Sequence, residues 1–198
     1  PGSTYKIFTL LDWLSRGHGL NESVDGSPRT IASERFTDTC GGPWHGPFKF
    51  KNDDSTSGRM TVSQATEQSV NGAFVSMALK LDLCEIRDTA ASIGVHRADG
   101  TELQSNPSSV LGTNEIAPLT MAAAYAAIAG DGVFCTPIAI DRIVAADGSE
   151  LQGQARDCNQ RLSPGVAATA AYAMGNVITS GTATRSNPRD GVPYIAKT

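Results

Sequence analysis

Apolar residues recur at helical spacing close to the start of the chain. They are Ile7, Leu10, Leu11 and Leu14. Intervals of three and four residues place these side chains on one face of a helix, and Pro1-Gly2 is typical of the turn that precedes it. The pattern predicts a first helix from residue 3 to about residue 16, with its apolar face buried.

Further helices are predicted at residues 61–82, 85–94, 119–129 and 164–178. Thr61 or Ser63 would cap the first of these helices and Gly94 would end the second. Ser163-Pro164 would open the last, because serine is a good cap and proline fits the first turn. The helix predicted at residues 61–82 is interrupted at residues 69–71, where a bend is expected.

Strand signals come later in the chain. Residues 133–138 and 142–146 are strand-like, and a turn at Asp147-Gly148 leads into Glu150-Leu151. Residues 192–197 predict the start of another strand.

Residues 17–58 are rich in Gly, Ser, Asp, Thr and Pro and predict a long loop. Trp44, Phe48 and Phe50 lie inside it, which is unlike a bare linker. Two interpretations stay open: these aromatic residues pin the loop to the domain, or they form the rim of a peptide-binding cleft.

Composition suits one globular domain or most of one, since 40% of the 198 residues are hydrophobic and 18% are charged. The 16 basic and 20 acidic residues are scattered and leave a net charge of -4, so no basic stripe indicates a nucleic acid partner. No apolar run is long enough for a membrane span, and no signal peptide is present. Because the chain looks cut at both ends, these absences do not argue for the cytoplasm.

The four cysteines allow disulfides or buried thiols. Cys135 and Cys158 flank a stretch that looks like a hairpin, so a bridge between them is favoured. Cys84 lies in an apolar helical run and is predicted to be a buried thiol. The three histidines are not spaced like metal ligands.

Ser3 and Lys6 are spaced so that their side chains share one helix face. A serine hydroxyl becomes a good nucleophile when a base removes its proton. A lysine can be that base only as a neutral amine, which requires burial or a nearby positive charge. Ser-x-x-Lys is thus a nucleophile with its own base, although a single copy also occurs on solvated helix faces.

Two further motifs change the interpretation. Ser69-Val70-Asn71 is a Ser-x-Asn triplet, and Lys197-Thr198 matches the start of Lys-Thr-Gly. In this order the three motifs resemble those of the penicillin-binding proteins and serine β-lactamases. Judged alone, Lys197 would be an ordinary exposed strand lysine, but the order of the motifs assigns it to the site.

The middle of the chain narrows the resemblance to the transpeptidase domain of class A (bifunctional) penicillin-binding proteins. The matching segments are Leu111-Gly112, Pro118-Leu119-Thr120-Met121, Ala124-Tyr125-Ala126 and Asp131-Gly132. Ser180-Gly181-Thr182-Ala183 also resembles the segment upstream of Lys-Thr-Gly in that family. The resemblance covers nearly the whole chain.

The resemblance implies three catalytic residues. Ser3 would be the acylated nucleophile, Lys6 the base that activates it, and Ser69 a relay for protons. No cofactor or metal is implied.

It also implies three substrate-binding residues. Asn71 would hold the amide of the acyl donor, Lys197 would add positive charge near Ser69 and help to hold the substrate, and Thr198 would bind the substrate or penicillin carboxylate. As two cations near one site, Lys6 and Lys197 would each favour the neutral amine in the other.

The chain departs from the family because it ends at Thr198. In the family, a backbone N–H two residues after the threonine forms half of the oxyanion hole, and losing one such donor costs on the order of 100- to 1,000-fold in rate. We therefore expect residues 1–198 to be a partial transpeptidase domain, truncated at both ends. Its fold class would be α+β: a helix-rich fragment of the penicillin-binding protein/β-lactamase-like fold that lacks most of the antiparallel sheet. It is not expected to be active alone.

The implied function is that of a D,D-transpeptidase, which cross-links peptidoglycan stem peptides and is acylated by β-lactams. One alternative is a serine β-lactamase. Glu102 and Asn106 match the Glu-x-x-x-Asn pattern of class A enzymes, but such short patterns are common and Val70 replaces their usual aspartate. A β-lactam-sensing domain that does not turn over and a D-alanyl carboxypeptidase share the motifs and stay open. The resemblance also implies an extracytoplasmic position, with an anchor and a glycosyltransferase domain elsewhere in the parent protein.

Overall fold

The first α-helix lies in the centre of the hydrophobic core of the computed structural model, which describes residues 2–198. Gly2–Tyr5 form a turn of 3-10 helix, and Lys6–Ser15 continue as helix α1. Its fully buried apolar side chains are Ile7, Phe8, Leu10, Leu11 and Trp13. A helix covered on all sides belongs to the core. The predicted first helix is confirmed, with a tighter first turn.

Five more α-helices follow α1 in the described residues. They are α2 (Val62–Glu67), α3 (Asn71–Ala78), α4 (Leu83–Ser92), α5 (Pro118–Ala129) and α6 (Pro164–Thr179). Helix α1 packs against α3, α4 and α6, and α5 packs against α6. All four later helical segments are confirmed. Within residues 2–198 no helix combines the length and apolar character needed to cross a membrane.

Helix ends follow the predicted capping chemistry. Thr61 caps α2 in a capping box with Gln64, which decides between the two candidate caps. The Ser163 side chain accepts from the Val166 N–H at the start of α6. Gly94, which follows α4, has φ 79°, a left-handed conformation that suits glycine after a helix.

The strands of the described part are short and form two-stranded antiparallel sheets. The pairs are β1 (Ser23–Asp25) with β4 (Arg59–Thr61), β2 (Thr30–Ala32) with β3 (Pro47–Lys49), β5 (Val133–Cys135) with β8 (Cys158–Gln160), and β6 (Ile143–Val144) with β7 (Glu150–Leu151). The fold is therefore helix-rich α+β with small sheets only, as the resemblance implies. Residues 17–58 are less irregular than predicted, since β1, β2 and β3 lie within them.

The strand predicted at residues 192–197 is wrong for the described part of the chain. A strand is defined by backbone pairing with a neighbour, and residues 2–198 offer this segment no ladder partner. The Ala196 N–H instead donates to the Met174 carbonyl at 3.3 Å. This bond fixes the C-terminal segment against α6.

The aromatic residues of the long loop pack onto the domain. Phe50 is buried, and Trp44 and Phe48 are partly buried against the same core. The Trp44 indole N–H donates to Asp38 at 2.6 Å. These contacts favour the interpretation in which the aromatic residues pin the loop.

Both disulfides connect segments that are distant in sequence. The predicted Cys135–Cys158 bridge is confirmed, and the two residues face each other in the β5–β8 pair. The prediction of a free thiol at Cys84 is wrong, because its sulfur is bonded to Cys40. Cys40 lies in the long loop, so helical periodicity around Cys84 could not reveal its partner.

A close backbone contact holds the 3-10 turn that carries Ser3. The Gly2 N–H donates to the Gly112 carbonyl at 3.1 Å. Gly112 has φ 95°, and a Cβ there would collide with the Gly2 carbonyl oxygen. Residue 112 must therefore be a glycine.

Gly112→Ala is expected to lower the free energy of unfolding by roughly 2–4 kcal/mol, since it adds a backbone clash to a left-handed conformation. Gly100→Ala is the matched control: Gly100 has φ 77° but nothing within 4 Å of a built Cβ, so about 1 kcal/mol is expected. Urea unfolding of the intact protein measures both values. Equal losses would show that the contact with Gly2 does not matter.

Candidate active site

The Ser69–Asn71 triplet spans the turn after α2 and the first residue of α3. Ser69 has φ 56°, a left-handed conformation that costs a non-glycine residue about 1 kcal/mol or more. Val70 is buried and anchors the turn in the core. The expected bend is thus confirmed, and backbone strain of this kind is typical of functional sites.

Lys6 reaches this turn from the start of α1. Its side chain is fully buried, and Nζ donates to the Ser69 carbonyl at 2.7 Å, to the Ser69 hydroxyl at 3.3 Å and to Asn71 Oδ1 at 2.5 Å. A buried amine needs such acceptors, because burying an unpaired polar group is costly. The first two motifs therefore meet through Lys6.

Lys197 brings the third motif to the same hydroxyl. It is only 4% exposed, and its Nζ lies 2.5 Å from Ser69 Oγ and 2.8 Å from the Thr198 carbonyl oxygen. Ser69 Oγ is also hydrogen-bonded to that carbonyl. The alternative of an exposed strand lysine is wrong.

The two amines face the same aromatic ring. Lys6 Nζ and Lys197 Nζ lie 5.6 and 5.7 Å from the centre of the Phe74 ring. Phe74 is buried on α3, so it gives both lysines an apolar wall. A low-dielectric wall penalises the charged form of an amine.

Burial lowers the pKa of Lys6 to about 8, although the charge of Asp53 opposes the shift. Burial lowers the pKa of Lys197 to about 6, and repulsion from Lys6 lowers it further while Asp53 again opposes the shift. Burial is the main cause of both pKa shifts, and the predicted mutual effect of the lysines is seen at Lys197 only. Near neutral pH the pair holds about one proton.

Ser3 lies in the 3-10 turn that precedes Lys6. Residues three apart eclipse one another in a 3-10 helix, so the spacing keeps the two side chains on one face. Within residues 2–198 the Ser3 hydroxyl makes no hydrogen bond, and Lys6 Nζ bonds to Ser69 and Asn71 instead. Catalytic hydrogen bonds are often incomplete until substrate binds. The turn is held by the Tyr125 hydroxyl, which donates to the Thr4 carbonyl at 3.0 Å.

The two substrate-binding candidates beside Ser69 differ in their bonding. Asn71 accepts from Lys6 at Oδ1 and donates from Nδ2 to the Lys51 carbonyl at 2.7 Å, which leaves its second amide hydrogen for a ligand. Thr198 is exposed, and its hydroxyl is hydrogen-bonded to that of Thr182.

Sequence reasoning missed Asp53, and it did not assign a role to Thr182. Both line a cavity of about 260 Å³ together with Asp54, Ser69 and Thr198. Asp53 lies in a loop without a motif, so nothing local distinguishes it. Thr182 lies in the Ser-Gly-Thr-Ala segment quoted for the family resemblance, which was a usable signal.

Glu102 lies away from this cluster. It lines a separate cavity of about 280 Å³ with Arg87 and His96, and none of the six predicted site residues lines that cavity. Asn106, its partner in the β-lactamase-like pattern, instead caps the 3-10 helix Pro107–Leu111. The positions of both residues indicate that their match to the Glu-x-x-x-Asn pattern is coincidental.

A serine thus lies one turn from a buried lysine, and a Ser-x-Asn turn and a second buried lysine complete the cluster. The chain belongs to the penicillin binding protein transpeptidase domain family, which matches it over residues 1–198.

The relatives within the family have low sequence identity to this chain but align with most of its length. Penicillin-binding protein 1A of Mycolicibacterium smegmatis is 26% identical over 211 residues, which cover all of this chain and 25% of the relative. The structure of the penicillin-binding protein PonA1 from Mycobacterium tuberculosis is 26% identical, with a TM-score of 0.80 over 99% of this chain and 51% of that one. A second PonA1 structure, in complex with penicillin V, has a TM-score of 0.70 over 90% of this chain and 47% of that one.

These relatives confirm the resemblance to class A penicillin-binding proteins. The chain spans about a quarter of the M. smegmatis relative and about half of the PonA1 structure.

The rate of acylation by a β-lactam is expected to rise with pH between about 5 and 8. A protonated amine cannot accept a proton, and raising the pH frees Lys197 at a pKa of about 6 and Lys6 at a pKa of about 8. Because the Asp53 charge raises the pKa of both amines, Asp53→Asn should move this increase in rate to lower pH.

Stopped-flow acylation of the intact protein across this range tests both statements. Glu102→Gln removes a carboxylate outside the cluster and should leave the profile in place. A flat profile, or equal shifts in the two variants, would show that the protonation of these lysines does not control acylation.

Proposed function

We propose that this chain is the acyl-transfer part of a D,D-transpeptidase, which cross-links peptidoglycan stem peptides through an acyl-enzyme on Ser3 and is acylated there by β-lactams. The observation that carries this proposal is the meeting of Lys6 and Lys197 at the Ser69 hydroxyl. It brings two buried amines together at one hydroxyl, which is the proton path that acyl transfer on Ser3 would use.

In the acylation step, Ser3 Oγ attacks the carbonyl carbon of the D-alanyl-D-alanine bond. Its proton passes to the neutral Lys6 amine, the new C–O bond forms, and the C–N bond breaks. The leaving amine takes its proton from the Ser69 hydroxyl, which is replenished by Lys6 across 3.3 Å. General acid–base transfer of this kind contributes about 100- to 10,000-fold.

Substrate binding would use the groups around this path. The spare Asn71 amide hydrogen would bind the donor peptide, while Thr198 and an N–H of the largely neutral Lys197 amine would bind its terminal carboxylate. In the reverse direction an acceptor amine replaces the leaving group and attacks the acyl carbon. Ser3 Oγ then recovers a proton as its bond to carbon breaks.

A serine β-lactamase is less well supported, because Glu102 lies in a separate cavity. A β-lactam sensor and a D-alanyl carboxypeptidase would use the same donor site, and they differ in the fate of the acyl-enzyme. We further propose that the domain works on the extracytoplasmic face of the cell membrane, with stem peptides and β-lactams as its partners, and its family membership supports this.

Incubation of the intact protein with benzylpenicillin, followed by mass spectrometry, tests the proposal. We expect an adduct of one penicillin that is released slowly. Rapid release of opened drug would favour the β-lactamase, and absence of an adduct would reject acyl transfer. A peptide thioester donor with an amine acceptor then separates the remaining functions: amide product indicates a transpeptidase, acid product alone a carboxypeptidase, and no product a sensor.

A further inference from the structure

We propose that Asp53 recognises the positively charged amine of the acyl acceptor and is a specificity-determining residue on the acceptor side of the site. The inference rests on the proposed function and adds the chemical class of group that its second substrate must present.

By the proposed function, the leaving group departs on the side of the cluster where the cavity of about 260 Å³ lies. Ser69 and Thr198 line it, and these residues would give the leaving amine its proton and hold its carboxylate. Attack by an acceptor amine is the reverse of that departure, so the acceptor must enter through the same space. Asp53 lines this cavity as well.

The backbone beside Asp53 is firmly held. The buried Asn52 side chain donates to the Gly26 carbonyl at 2.7 Å and accepts from the Gly72 N–H at 2.9 Å, which ties the loop to the start of α3. The Lys51 carbonyl accepts from Asn71. The position of Asp53 is therefore coupled to the Ser69–Asn71 turn.

The Asp53 carboxylate is available to a ligand. It is exposed, and within residues 2–198 no hydrogen bond or ion pair is made by it. The neighbouring carboxylate of Asp54 is occupied, since it accepts from the Thr56 N–H at 2.8 Å. Lys6 and Lys197 are buried and already bonded behind Ser69, so Asp53 presents negative charge to the cavity.

An alkyl amine in neutral water is an ammonium ion, which a carboxylate attracts. Forming the amide requires the ammonium to lose two protons. One passes through the Ser69 hydroxyl to the neutral Lys197 amine, and the other reaches Ser3 Oγ as its bond to the acyl carbon breaks. Asp53 would bind the ammonium before these proton transfers and hold it beside Ser69.

Partitioning of the acyl-enzyme between two nucleophiles tests the proposal in the intact protein. A peptide thioester acylates the protein in the presence of Nα-acetyl-lysine amide, whose side chain is an ammonium, and hydroxylamine, which is uncharged at neutral pH. The readout is the ratio of the two products. After subtraction of the products that the thioester forms without protein, this ratio is independent of the acylation rate and of the amount of folded protein.

Asp53→Asn is expected to lower the lysine-to-hydroxylamine product ratio about three- to tenfold. Asp53→Glu, which keeps the charge, should retain most of the wild-type product ratio. Asp54→Asn should change the ratio less than Asp53→Asn does. Salt at about 1 M should narrow the gap between wild type and Asp53→Asn.

An unchanged ratio in Asp53→Asn, or an equal loss with both nucleophiles, would overturn the role of Asp53 while leaving the proposed function in place. Failure of the wild-type protein to form an acyl-enzyme would overturn both.

Discussion

Ser3→Ala is expected to abolish the penicillin adduct, with a loss in acylation rate of at least about 1,000-fold. The alanine side chain has no oxygen with which to form the acyl ester, and removal of a covalent nucleophile leaves only binding and electrostatic effects. The measurement is the time course of adduct formation by mass spectrometry on the intact protein. Peptide mapping of the wild-type adduct should place the added mass on Ser3.

Ser15→Ala is the matched control for this substitution. Ser15 is exposed at the last residue of α1, so the same chemical change on the same helix should leave the adduct unaffected. An adduct that persists in Ser3→Ala would assign the nucleophile to another residue and would overturn the three-motif argument.

Lys6→Arg is expected to slow acylation by about 100- to 10,000-fold, although it keeps a positive charge at the start of α1. A guanidinium stays protonated at all accessible pH values, so it cannot take the role proposed for the Lys6 amine, which is to accept the Ser3 proton. Stopped-flow acylation by a chromogenic β-lactam measures the loss. The acylation rate should also no longer show the part of its increase between pH 5 and about 8 that follows the Lys6 pKa.

Lys80→Arg provides the comparison on the surface. Lys80 is exposed, and its Nζ lies 5.3 Å from the Trp13 ring, a contact that arginine also makes. Retention of the wild-type rate and pH profile in Lys6→Arg would show that Lys6 is a structural cation. Near-ultraviolet circular dichroism of the variants separates loss of the base from loss of the fold.

Much of the fold was visible in local patterns. The apolar repeat of α1, the caps at Thr61 and Ser163 and the Ser-x-Asn bend each depend on residues within a few positions of one another. Such signals survive without tertiary context because helical periodicity and capping act over one or two turns. The Cys135–Cys158 bridge was predictable for a related reason, since its cysteines flank a hairpin-like stretch.

The sequence by itself determined the order of the three motifs, and with it the family and the candidate residues. Only the tertiary structure decided how they meet: Lys6 and Lys197 converge on Ser69 from positions 63 and 128 residues away. It also revealed Asp53, the Cys40–Cys84 bridge and, within residues 2–198, the lack of a strand partner for residues 192–197. These features depend on burial and on contacts between distant segments, and the pKa of each lysine is set by the groups that surround it. No local pattern encodes those surroundings, because they exist only once the chain has folded.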